Sequence, residues 1–336
     1  MASKKVLIIG VGYIGWNILD LLVQENYAVT GYVRRKEHGE QIKASGASEV
    51  AYGDLGDTAK ITGLTVTHDI VFHAATADHL PSVEAILDGI RQRADTGLST
   101  IYIHTSGTAL TLDDARGAFK SDKVYHDNVA SEIDSVSDGA PHRQVDVPIV
   151  KARKQLGAKA RIAIMIPPTI YGINPKHGRL SMQLPTLARF ALKHGFSGYV
   201  GDGLSVHSNI HVLDIARAYV VLLHHLESTP SDDALLLHNP YYFCETSGDN
   251  EPSWKEIAAV IGDSLHKAGA IPDSTPRTIP GDAYGDIYGA ETDVFFGMNS
   301  RTRAVRLRAL GWEPVEKDWK ASFAEDELPL ILKQGG

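Results

Sequence analysis

The chain has 336 residues, 43% of them hydrophobic and 22% charged, which suits one large α/β domain or two linked ones. Its formal net charge of -8, without any long basic run, argues against nucleic acid or an anionic membrane as partner. The one cysteine, Cys244, leaves neither an internal disulfide nor a multi-thiolate metal site, and no stretch approaches the ~18 apolar residues of a membrane span, so a cytoplasmic protein is expected.

Val6 to Ile9 is a short apolar run entering Gly10-Val11-Gly12-Tyr13-Ile14-Gly15. A strand, a Gly-x-Gly-x-x-Gly turn and a helix, in that order, make a dinucleotide site. Gly10 permits the tight turn, Gly12 lets backbone approach a pyrophosphate, and Gly15 lets the helix pack on the strand. Free N–H groups at the helix start then face phosphate charge. Ile14, Ile18, Leu21 and Leu22 mark one helical face, with Asn26 as terminator, and Ala28 to Val33 reads as the second strand. That strand runs into Arg34-Arg35-Lys36. Sites for NAD carry an acid here to bond the ribose 2'-hydroxyl, whereas NADP needs positive charge. Arg34 and Arg35, whose planar forks grip phosphate bidentately, therefore predict NADP(H).

Further β-rich runs follow at βαβ spacing: Glu49 to Tyr52, Asp69 to His73, Thr100 to His104 and Arg161 to Ile166. They predict a parallel, doubly wound sheet. Val83, Ile86, Leu87 and Ile90 mark the helix between the fourth and fifth runs. The polar stretch from Asp113 to Arg143 reads as a lid-like loop after the fifth strand, and Asp146, just before Val147-Pro148, reads as a helix N-cap. Pro167-Pro168 ends the sixth strand, and the rhythm lapses until Ile210 to Leu226, where Asp214 is expected to cap a helix from Ile215. Ser253-Trp254-Lys255-Glu256 is a capping box opening a helix through about Ala268, and Thr275 to Gly297 reads as loop. The expected organisation is a dinucleotide-binding domain over residues 1–172, with 204–230 returning to it, and an interleaved substrate-binding part over 173–203 and 231–336. Met182, Gln183, Leu184, Phe243 and Trp254 fall in that part and suggest apolar pocket lining. No His/Asp/Glu cluster has metal-ligand spacing, so no metal is expected.

Taken together these motifs resemble the short-chain dehydrogenase/reductase superfamily, in its extended and atypical, NAD-dependent epimerase/dehydratase-like branch. The likeness spans most of the chain. It rests on the glycine loop; on Gly53-Asp54-Leu55, where the family contacts adenine; and on His73-Ala74-Ala75, which lines the cofactor there. It rests further on His104-Thr105-Ser106-Gly107, Pro167-Pro168-Thr169-Ile170-Tyr171-Gly172 and His211-Val212-Leu213-Asp214. The resemblance implies a Rossmann-type fold and a cofactor site of Gly10, Gly12, Tyr13, Ile14, Gly15, Arg34, Arg35, Asp54, Leu55, Ala74, Ala75, Thr105, Pro167 and Thr169. Homodimers are common in the superfamily, and relatives of this kind occur in fungal natural-product pathways.

The family's Tyr-x-x-x-Lys pair is missing. The helix that should carry it reads His142-Arg143-Gln144-Val145-Asp146, with His142 where tyrosine is expected and Asp146 where lysine is expected, while Gly107 stands at the usual catalytic serine. An imidazole that titrates near neutrality can donate a proton to a nascent alkoxide, so His142 is a candidate acid; a surface histidine preceding a helix is the plain alternative. Tyr171 is a phenolic alternative, and Ser106 or Thr108 can hydrogen-bond a carbonyl oxygen. Tyr125, Met182, Gln183 and His211 are candidate substrate contacts. The expected function is NADP(H)-dependent reduction of a carbonyl, imine or activated alkene of a small, largely apolar molecule. Alternatives are a redox-neutral epimerase, isomerase or cyclase, and an NADP-sensing regulator.

Overall fold

The computed structural model describes residues 3–246, 248 and 250–335. Seven strands form one sheet: β1 (Lys5–Ile9), β2 (Ala28–Val33), β3 (Glu49–Tyr52), β4 (Ile70–His73), β5 (Thr100–Thr105), β6 (Ala160–Ile166) and β7 (Tyr241–Phe243). Their order is β7-β6-β5-β4-β1-β2-β3 and every pairing is parallel. The apolar runs follow from that burial: Val6, Leu7, Ile8 and Ile9 are fully covered, since helices lie on both faces. On one face α1 (Gly15–Gln24) packs against α7 (Val212–Ser228). On the other, α3 (Thr58–Val66), α4 (Leu80–Asp95) and α5 (Arg143–Leu156) pack in turn. The strand order reverses between β1 and β4, so the carboxyl ends part there. That is where a doubly wound sheet opens a crevice.

A second, smaller core joins Tyr171, α6 (Gln183–His194), α8 (Trp254–Lys267) and the C-terminal Trp319, Phe323 and Ile331. The predicted capping box is present, with Ser253 Oγ accepting from Glu256 N and the Glu256 carboxylate accepting from Ser253 N.

Four expectations need correction. The helix at residue 212 is capped by His211, whose Nδ1 accepts from Leu213 N, while Asp214 lies buried in the first turn and accepts from Val315 N and Glu316 N. Asp146 is no N-cap either: α5 starts at Arg143, with Asp146 fully buried and Pro148 inside the helix. Thr275 to Gly297 is not all loop, since it holds 3-10 turns at Gly281–Asp286 and Gly289–Glu291 and a helix at Thr292–Gly297. Finally, β7 lies within 231–336, so Phe243 belongs to the large sheet rather than to the substrate-binding part; its three residues gave too short a run to stand out.

The stretch after β5 is pinned rather than open. The Asp113 carboxylate accepts from Asn299 N and Nδ2 at 2.8 Å each, and Tyr125–His126 pairs in parallel with Thr302–Arg303.

Candidate functional site

A cleft of about 440 Å³ opens at the carboxyl ends of β1 to β4. It gathers Gly10, Gly12, Arg34, Arg35, Asp54, Leu55, Ala74 and Ala75 from the predicted set, together with Val11, Tyr32, Val33, Gly53, His38 and Arg179. The glycines have separate reasons. Gly10 turns at φ 91°, and a Cβ there would lie 2.3 Å from Ala75 Cα. A Cβ on Gly15 would lie 2.2 Å from Gly10 O, which fixes how closely α1 approaches the loop. A Cβ on Gly12 would meet nothing within 4 Å, so this residue presents bare backbone to open space. A floor of bare backbone before a helix N-terminus fits a dinucleotide pyrophosphate. Of the other loop residues, the Tyr13 hydroxyl donates to Gly172 O, and the Ile14 side chain packs on the large core.

One end of the cleft is cationic. Arg34 and Arg35 are exposed at the end of β2, and neither they nor Arg179 has a carboxylate within ion-pair reach among the described residues. Asp54 is the one acid in the lining, and its Oδ1 accepts from Gly56 N at 2.7 Å. Arg179 Nη2 donates to His38 Nε2 at 3.1 Å. Burial, then the Arg179 and Arg35 guanidiniums, hold His38 down at about 4.

Beyond Ala74 and Ala75, the same sheet edge carries a carboxylate and an imidazole. His142 Nδ1 lies 2.7 Å from Asp78 Oδ1. A Cβ built on Gly107 would lie 3.0 Å from His142 Nε2, so that nitrogen faces the Ser106-Gly107-Thr108 turn and the missing side chain makes room for it. His142 holds φ 67°, a left-handed conformation costing about 1–3 kcal/mol for a residue with a Cβ. Such strain clusters at working sites.

Behind this pair runs a buried polar chain. Ser106 Oγ donates to Asp146 Oδ2 at 2.7 Å. Asp146 Oδ1 and His104 Nε2, both without hydrogen-bond partners among the described residues, stand 3.9 Å apart. His104 Nδ1 meets His73 Nδ1 at 3.1 Å, and His73 Nε2 meets Ser82 Oγ at 3.2 Å. Burial pushes Asp146 up to about 6 and His73 down to about 3, and it pushes His104 well below its ordinary value, so both imidazoles are neutral.

Other predicted residues point elsewhere. Thr105 Oγ1 is bonded to the Tyr219 hydroxyl at 2.6 Å. Thr108 is buried, with its N–H donating to Pro167 O and its carbonyl accepting from Thr111 and Ser300. Tyr171 lies in the second core and its hydroxyl donates to Lys317 O, so it has no proton poised over the cleft. Thr169 Oγ1 meets His207 Nδ1, and both residues line a narrow apolar recess with Tyr171, Leu184, Trp254 and Trp319. His211 caps a helix, its ring abutting Gly172; Tyr125 is buried in its short strand; Met182 is 59% exposed, and Gln183 starts α6. Sequence reasoning missed three residues. Asp78 follows Ala74-Ala75 by three positions and His38 sits in the first turn of α2 (Lys36–Ala44), so both were within local reach. Arg179 arrives from 141 residues away and left no local signal. Among the described residues, no group of three or more His, Cys, Asp or Glu is arranged to hold a metal ion, and no helix is long and apolar enough to cross a membrane.

A family model described as NAD(P)H-binding matches residues 10–128, and one for the NAD dependent epimerase/dehydratase family matches 144–236. The chain is 27% identical over 332 residues, 93% of each chain, to an Acremonium sp. protein named oxidase ucsJ. It is 25% identical to an uncharacterized Saccharomyces cerevisiae protein, over 95% of this chain and 99% of that one. Among solved structures, UDP-glucose 4-epimerase of Thermotoga maritima, with UDP-glucose, superposes at TM-score 0.68 with 14% identity, covering 99% and 100% of the chains. The dTDP-glucose 4,6-dehydratase DesIV of Streptomyces venezuelae, a double mutant with NAD bound, gives 0.67 with 15% identity over 98% of each. These two likenesses concern the fold.

Proposed function

We propose that the chain is a cytosolic NADP(H)-dependent oxidoreductase of the extended short-chain dehydrogenase/reductase type, a reading that its NAD(P)H-binding and NAD dependent epimerase/dehydratase family matches support. Its substrate is a carbonyl, or an imine or activated alkene, of a small, largely apolar organic molecule. The observation that carries this reading is the cleft itself, in which a bare glycine floor continues into Arg34 and Arg35, cations without an acid partner, where a 2'-phosphate is expected. The relative named an oxidase supports redox chemistry.

When bound, the nicotinamide supplies the hydride. The chain supplies position and a proton. His142 is the proton donor in this reading: Nδ1 is held against Asp78 Oδ1, which fixes the ring plane, and Nε2, beside the bare backbone of Gly107, is the nitrogen left to carry the proton. Asp78 is a positioning residue. Ser106 is tied to Asp146 and holds the turn that carries Gly107.

The test is NADPH absorbance across a panel of carbonyls, imines and activated alkenes. Oxidation with at least one class is expected, and His142→Gln should lower kcat by about 10²–10⁴-fold with NADPH affinity unchanged. Binding without turnover anywhere in the panel would overturn the proposal, and conversion with no net absorbance change would replace it with a redox-neutral reaction.

A further inference from the structure

The segment from Gly172 to Ser181 leaves the sheet edge, crosses α1 and returns to the second core. Both of its ends are held by one buried residue, Glu327, whose carboxylate accepts from Gly172 N at 2.7 Å and from Ser181 Oγ at 3.1 Å. Its middle is fastened to α1. Asn174 Nδ2 donates to Asn17 Oδ1 at 2.7 Å, Lys176 and His177 meet Asp20 at 3.2 and 2.8 Å, and the His177 ring stacks on Trp16 at 4.0 Å. These contacts leave Arg179 little choice of place. Its guanidinium lies over the Trp16 ring, 5.0 Å from the centroid, and enters the cationic end of the cleft beside His38.

Three guanidiniums thus line one cleft, and none of them is within ion-pair reach of a carboxylate among the described residues, Asp54 being the one acid in the lining. Mutual repulsion makes such a cluster unfavourable unless an anion is bound, and a dianion accepting forked hydrogen bonds is the best match. Arg34 and Arg35 come from the dinucleotide-binding half, but Arg179 comes from the other. We infer that Arg179 is a specificity-determining residue: the 172–181 strap is a clasp that carries it from the substrate-binding part onto the cofactor's 2'-phosphate, so that the phosphorylated cofactor staples the two halves together. This inference rests on the NADP reading above and deepens it.

The test titrates NADPH and NADH, and separately 2',5'-ADP and 5'-AMP, into wild type, Arg179→Gln, Arg179→Lys and Asp20→Asn, with melting temperature as the folding control. Arg179→Gln should weaken NADPH and 2',5'-ADP by roughly 10- to 100-fold and leave NADH and 5'-AMP within about twofold, the size of one lost charge-assisted contact. Arg179→Lys should recover part of the loss, since the charge remains without the fork. Asp20→Asn, which loosens the strap without touching the cleft, should weaken NADPH by a smaller factor. Unchanged NADPH affinity in Arg179→Gln, or equal losses for NADPH and NADH, would overturn the clasp alone. Wild type binding both nucleotides equally would overturn the NADP reading and the clasp with it.

Discussion

Replacing Asp146 by asparagine probes the polar chain behind His142. The carboxyl is fully buried, and burial, outweighing the Ser106 hydrogen bond, pushes its pKa up from 3.8 to about 6. The folded state therefore holds this proton more tightly than the unfolded chain does. Its stabilising contribution is full below about pH 4 and is lost as pH rises through about 6, and two pKa units correspond to about 3 kcal/mol. Asparagine resembles the protonated acid: its oxygen still accepts from Ser106, and its nitrogen can aim at the partnerless His104 Nε2, 3.9 Å from the present carboxylate oxygen. Urea unfolding of both proteins between pH 4 and 8 is the assay. The stability of Asp146→Asn relative to wild type should climb by ~3 kcal/mol across that range, nearly all of it below about pH 7. Other buried acids with raised pKa values, Asp127 at about 6 and Glu245 and Glu327 at about 7, titrate in both proteins and cancel in the difference. A difference that does not change with pH, or that falls as pH rises, would refute the reasoning.

The glycine loop separates folding from binding. Gly12→Val should melt within a few degrees of wild type yet lose more than about 100-fold in nucleotide affinity, because its side chain would enter only the space the pyrophosphate needs. Gly10→Ala should instead lose about 3 kcal/mol or more of stability in urea unfolding, from the φ of 91° and the 2.3 Å approach to Ala75 Cα. Tyr171→Phe should keep kcat within about threefold and cost about 1 kcal/mol of stability, since the hydroxyl bonds Lys317 O in the second core; a kcat loss of about 100-fold would restore Tyr171 as the acid.

Local chemistry made much of this molecule readable. The six predicted strands all form, with ends within one residue, because each is a short β-rich run between turn residues, and all but the part-exposed edge strand β3 are largely buried between the helix layers. The glycine turn was legible for the same reason, since a tight strand-to-helix turn needs Gly10, and Arg34 and Arg35 line the cleft at the end of β2. What failed was whatever long-range packing decides. Asp214 and Asp146 look like caps in sequence, yet each lies buried in a helix's first turn and receives hydrogen bonds from distant partners, Val315 and Glu316 in one case and Ser106 in the other. Tyr171 reads in sequence as a phenolic acid candidate, but Trp254 and Trp319 share a second core with it. Arg179 reaches the cleft only because Glu327 and Asp20 fix the strap that bears it.

Equilibrium titration of the wild-type protein with NADPH and with NADH tests the central claim, that the cations at the β2 end select a phosphorylated cofactor. NADPH should bind at least about tenfold more tightly, the difference should shrink as salt screens the guanidiniums, and Arg34→Gln with Arg35→Gln should remove most of it. Equal affinities, tighter binding of NADH, or no binding of either at millimolar concentration would contradict it.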